Sequence, residues 1–136
     1  ASDYLIDMSE QEKRRDMISR ICNGCHNADW IRGHFAKLNS TTKETDEMIL
    51  AATKLVSRAW EKGIEDKTNP FDESIEQMWI RQWLFYSNSI RYASAMTGAP
   101  DYTAFKNGWW YLNENLQQME DWMEFKKAKN KEKEKD

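Results

Sequence analysis

Proline and glycine are scarce in this chain, with 2 Pro and 5 Gly in 136 residues. A strand-and-turn protein needs both for its turns, so their scarcity favours long uninterrupted helices. No apolar run approaches the roughly 18 residues that a membrane span needs, and no secretory leader is visible. The formal net charge is -3, and no basic stretch is large enough to argue for a nucleic-acid partner. Methionine is absent from the start. Ala1 suits a processed product, a small mature subunit or the tail of something longer.

What is present is a length suited to one domain, with 32% charged and 40% hydrophobic residues. Seven Trp, five Tyr and five Phe are many for this length. Such aromatics pack cores and interfaces, or wall a large planar cofactor.

Four helical segments follow from the apolar spacing. The first begins at Ser9, where Ser9 to Glu12 reads as a capping box, and runs through Met17 and Ile18 to Ile21. The second starts near Thr41. Its apolar positions Met48, Ile49, Ala52, Leu55, Val56, Ala59 and Trp60 keep helical period up to Gly63. The third opens at Asn69-Pro70, with proline at the first helical position. Asp72, Glu73 and Glu76 face the positive end of its dipole. Reaching Gly98, it would be on the order of 40 Å long, long enough to extend to a neighbour. The fourth starts at Asp101 and carries Phe105, Trp109, Leu112, Leu116, Met119 and Met123. The expected fold is all-α, a bundle of long helices. Residues 1–40 form an attachment segment, 41–125 a bundle and oligomerisation region, and 126–136 a charged, solvated tail that is disordered at its end.

The chemistry sits in Cys22-Asn23-Gly24-Cys25-His26. This is C-x-x-C-H, the attachment signature of haem c. Two thiols three residues apart on one turn can each add to a haem vinyl group, and the adjacent histidine turns its imidazole to the iron as proximal ligand. Gly24 lets the turn lie close to the porphyrin. Competing readings have less behind them. Cys22, Cys25, His26 and His34 would make a cramped zinc set. A thioredoxin-like pair needs a βαβ context, and a disulfide across two residues closes too small a loop to stabilise much. His34 is the only other histidine. On one helix it would stand about 12 Å along the axis from His26. It can ligate a haem from another segment or chain, close its own haem from a loop made possible by Gly33, or be an ordinary polar residue.

Three blocks carry a resemblance. They are Cys22 to His26 with Asp29-Trp30-Ile31-Arg32-Gly33-His34-Phe35-Ala36, then Arg91 to Tyr102, then Phe105-Lys106-Asn107-Gly108-Trp109-Trp110. In order and spacing, the stretch from Ile21 to about Met123 resembles the C-terminal region of the octahaem hydroxylamine oxidoreductase family. The resemblance implies that Cys22, Cys25 and His26 hold the last haem of a multihaem cytochrome. The other haems, the catalytic one included, would lie in sequence or in a partner outside this chain. It also implies a homotrimer or larger multihaem complex built on long helices, and a redox carrier protein as partner. In the oxidising members a tyrosine after a His-Gly pair is bonded to the neighbouring subunit's catalytic haem. Here the pair is Asn107-Gly108, followed by Trp109 and Trp110, with Tyr111 one place off. This departure favours reduction of nitrite or hydroxylamine over oxidation of hydroxylamine or hydrazine. Trp109, Trp110 and Tyr111 are candidates either to approach a neighbour's site or to pack an interface. Because haem c is attached outside the cytoplasm, the expected compartment is periplasmic or equivalent.

Two further functions stand beside this one: a free-standing monohaem electron-transfer protein, and a haem-free module whose amphipathic helices trimerise.

Overall fold

The computed structural model describes residues 6–69, 71–96 and 105–133. Among them every regular element is helical. These are α1 (Met8–Cys22), α2 (Ala28–Glu61), α3 (Ser74–Ile80), a π-helical segment (Arg81–Tyr86), α4 (Ser87–Met96), a second π-helical segment (Phe105–Trp110) and α5 (Tyr111–Lys133). None of the described helices is long and apolar enough to cross a membrane. The chain divides into two compact units, Ala1–Lys37 and Leu38–Asp136.

The first unit has little core. Asp7, not Ser9, caps α1, its side chain accepting the Glu10 N–H at 2.8 Å. The capping box expected at Ser9 is therefore displaced by an earlier and better acceptor. No residue of α1 is buried. Ile31 is the buried apolar residue on the facing turn, and the Arg15 guanidinium lies 4.8 Å from the centre of the Phe35 ring.

The second unit has a well-formed core. Ala52, Leu55, Val56 and Ala59 of α2 pack with Ile75 of α3 and with Met119 and Met123 of α5. Trp60, Ile64, Met78, Trp79, Leu116 and Trp122 close over them. The apolar spacing read from the sequence for α2 and α5 is the spacing that packs. Gly63 ends α2 as expected, at φ 61°. Its N–H reaches the Trp60 carbonyl (3.1 Å) and the Ile64 N–H reaches that of Ala59 (3.0 Å). This Schellman arrangement needs a left-handed residue where glycine stands, and it folds Ile64 onto the core.

Three expectations are corrected. α2 begins at Ala28 rather than near Thr41, because the Asn27 side chain accepts the Trp30 N–H at 2.9 Å and starts the helix at once. α3 begins at Ser74 with Glu73 as its cap; Pro70, and the fourth-helix start at Asp101, lie outside the described residues. The lysine-rich stretch after Phe125 stays helical to Lys133. Its Lys126 bonds Glu65 at 2.7 Å, and Lys127 pairs with Glu124 one turn back.

The π-helical segments set which faces of α4 and α5 turn inward. Each wide turn carries extra residues and rotates the succeeding face. Ser87, not Tyr86, is therefore fully buried, and Trp83, Leu84 and Phe85 are left exposed. A buried polar network ties the first of these segments, and α3 before it, to α5. Gln82 donates to the Leu112 carbonyl at 3.0 Å, and Asn115 donates to Gln82 Oε1 at 2.7 Å and to the Met78 carbonyl at 2.9 Å.

Candidate haem-attachment site

The end of α1 builds the cysteine turn with backbone bonds alone. The Cys22 carbonyl accepts both the Cys25 N–H (3.1 Å) and the His26 N–H (2.9 Å), and the Gly24 N–H reaches the Ile21 carbonyl at 3.1 Å. A Cβ on Gly24 would stand 3.3 Å from that same oxygen, so the turn is tightest where the sequence has glycine. Both thiols are free, Cys22 half-buried and Cys25 exposed.

His26 lies outside the helices, and its ring stacks on Trp30 with centroids 3.6 Å apart and planes 10° apart. Trp30 in turn stacks with His34 at 5.4 Å and 3°, and His34 meets the edge of Phe35 at 5.3 Å. Trp30 and His34 lie one turn apart on one side of α2, and His26, just before the helix, stacks on Trp30. Gly33 and His34 are helical. The reading in which a turn at Gly33 brings His34 back to its own haem is therefore corrected: with Asn27 starting the helix, no turn forms there.

The surface beside the cysteines is apolar and uncovered. Ile21 is 74% exposed and Met17 54%; Ile18 and Trp30 are also exposed. Scattered apolar residues on a surface need no explanation, but a contiguous patch does. Two thiols on one turn, an adjacent imidazole and an uncovered apolar face fit a large planar cofactor with two electrophilic vinyl groups and a metal that takes nitrogen.

The other candidate residues lie in the second unit. Trp109 is half-buried and Trp110 56% exposed. Tyr111 is half-buried and packs on Tyr86 with ring centroids 5.5 Å apart. Asn107 is exposed, whereas Gly108 is buried against Ile90. The structure gives Gly108 a packing role.

One cluster has no plain signature in the sequence. Oxygens of Asp72, Glu73 and Glu76 all lie within 4.8 Å of one another. Glu76 is fully buried; it accepts the Trp60 indole N–H at 2.6 Å and the Glu73 backbone N–H at 3.4 Å. Oε2 of Glu73 is shut off from water. A hydrogen bond shared with the Glu65 carboxyl, then burial, then the charges of Glu65, Asp72 and Glu76 push the Glu73 carboxyl up to about 7. The sequence groups Asp72, Glu73 and Glu76 at a helix start, but nothing in it brings Glu65 to them from the loop before. A folded-state value above the ordinary 4.5 means that the protonated carboxyl stabilises the fold below that pH. This stabilisation is lost as pH rises through about 7. Glu73→Gln cannot ionise. It is expected to melt at a higher temperature than the natural protein above pH 7 and at the same temperature near pH 4.5, which thermal melts at the two pH values check.

The fold and the site thus define an all-α helical protein with a C-x-x-C-H turn. No family model and no curated protein matches the chain. Among solved structures it is similar to a "Hypothetical multiheme protein", with 36% identity, a TM-score of 0.82 and coverage of 93% of this chain. The match takes in 25% of that protein, so this chain spans about a quarter of its length.

Proposed function

We propose that this chain is the haem c-bearing C-terminal part of a multihaem oxidoreductase acting on nitrogen oxides, with nitrite or hydroxylamine reduction favoured. Cys22 and Cys25 hold the haem through thioethers and His26 is its proximal ligand. When bound, the haem supplies a one-electron redox centre, and the chain's own residues attach it, orient it and cover part of it. The observation that carries this reading is the closed Cys22–His26 turn beside an uncovered apolar face, in a chain similar over almost its whole length to a segment of a protein described as multihaem. In this reading His34, one helix face along from His26, ligates a haem from another segment or subunit.

The helices of the second unit form the contacts of a homotrimer or larger complex, which the exposed side chains of Phe85, Tyr92 and Trp110 support. Electrons pass between the haems and an external carrier protein in the periplasm or an equivalent compartment. Reduction is favoured because Asn107-Gly108 stands where the cross-linking members have His-Gly. Trp109, Trp110 and Tyr111 approach the neighbouring subunit's site.

A visible spectrum with the native mass tests the reading. A trimer or stable complex rich in haem, reducing nitrite or hydroxylamine with a reduced dye as donor, is the expected result. A coloured monomer with one haem per chain would instead make it a monohaem electron-transfer cytochrome, and a colourless sample would leave only a helical interaction module. A tyrosine bonded to haem in denatured peptides would overturn the preference for reduction.

A further inference from the structure

We infer that Trp30 is a positioning residue that fixes the plane of the His26 imidazole, an inference that rests on His26 being the iron ligand proposed above. Metal-bound histidines are commonly oriented by a hydrogen bond from the ring nitrogen that does not meet the metal. Among the described residues no hydrogen bond to the His26 imidazole is found, and His26 precedes the first residue of α2, so the helix backbone does not hold it. What meets the ring is the flat face of Trp30, 3.6 Å between centroids and 10° from parallel.

Trp30 sits in the first turn of α2, its backbone N–H donating to the Asn27 side-chain oxygen at 2.9 Å. Its second neighbour, His34, lies within 3° of the same plane. The three rings therefore lie nearly parallel, Trp30 and His34 being carried by the first turns of α2. Packing does not require tryptophan here, because Trp30 is 42% exposed and contributes little to a buried core. What a flat ring adds over apolar bulk is a plane against which the imidazole stacks. For an axial imidazole the plane matters, since the ligand plane sets how the iron d orbitals split and hence the shape of the low-spin ferric signal.

The test compares Trp30→Leu, which keeps apolar bulk without a flat face, with Trp30→Phe, which keeps the face. Both are made in the native multihaem protein, with haem content measured by the pyridine haemochrome method. Electron paramagnetic resonance of the ferric protein then reads ligand orientation. The expected result is that Trp30→Leu keeps its haem and shifts one low-spin signal, equivalent to one haem per chain, while Trp30→Phe retains that signal. A Trp30→Leu spectrum that superimposes on the natural one overturns the inference, as does a Phe variant displaced as far as the Leu variant. Loss of haem from both variants also overturns it, by giving Trp30 a bulk role. Failure of the underlying reading is distinguishable before any variant is made: the natural protein would then carry no haem on the peptide containing Cys22 to His26, and both ideas would fall.

Discussion

Replacing Cys22 and Cys25 together with serine is expected to remove one covalently held haem per chain and to leave every other haem in place. The turn itself should survive, because its hydrogen bonds are made by the backbone of Ile21, Cys22, Gly24, Cys25 and His26. A serine hydroxyl is isosteric enough to keep that turn, but it is a poor nucleophile toward a vinyl group, so no thioether forms. His26 alone would then hold a haem by coordination, and denaturation would strip it. Haem counted against protein after denaturing gel filtration reads the loss directly. Either single variant should keep a haem on one thioether, with its reduced absorption band shifted by the retained vinyl group. An unchanged count in the double variant would place the haems of the native protein elsewhere.

The second large effect is expected at Gly108. A Cβ there would lie 2.6 Å from Cγ1 of Ile90, and 3.4 Å and 3.6 Å from that residue's N and Cα. Only the Cγ1 contact is a clash, the two backbone distances being ordinary contacts, but Ile90 is branched at Cβ and 1% exposed, so its side chain has little room to turn away. Overpacking of this kind costs about 1–3 kcal/mol. Alanine would recover up to ~1 kcal/mol from its better helix propensity, so Gly108→Ala should cost about 1–2 kcal/mol. Gly108→Val, larger and without that gain, should cost about 3 kcal/mol. Ile90→Ala made in the Gly108→Ala background should be less damaging than in the natural protein, giving a measurable coupling between the two sites. Denaturation followed by helical circular dichroism checks both statements.

The structure shows which features local pattern can reveal. The apolar stripes of α2 and α5 were legible because burial on one side of a helix imposes a 3.6-residue period, and Gly63 was legible because only a left-handed residue closes that helix end. Helix starts were less so. Asp7 and Asn27 cap where Ser9 and a site near Thr41 were expected to, since several polar residues in each stretch could cap and the choice depends on backbone direction. The π-helical segments had no signal in the spacing. The first of them carries Gln82, whose partner Asn115 lies 33 positions further along the sequence. The lysine-rich stretch looked like solvated tail because its apolar stripe stops at Phe125, yet Lys126 is anchored to Glu65 from a distant loop.

At the site, the backbone turn from Cys22 to His26 could be expected from spacing, because its hydrogen bonds are local. The stacking of His26, Trp30 and His34 became visible only once α2 was placed from Ala28. The sequence left His34 open, on a helix continuing from His26 or in a loop after Gly33, so the shared side was not fixed. The carboxyl cluster around Glu73 was hidden for a similar reason: Glu65 and Glu76 come from either side of a connection whose path the sequence does not state.

The mass of the proteolytic peptide that contains Cys22 to His26, taken from the native protein, tests the central claim most directly. This peptide is expected to carry one haem, bonded at both cysteines and stable to denaturation. A peptide of unmodified mass with two free thiols, recovered from protein that has passed through its natural maturation, would contradict it.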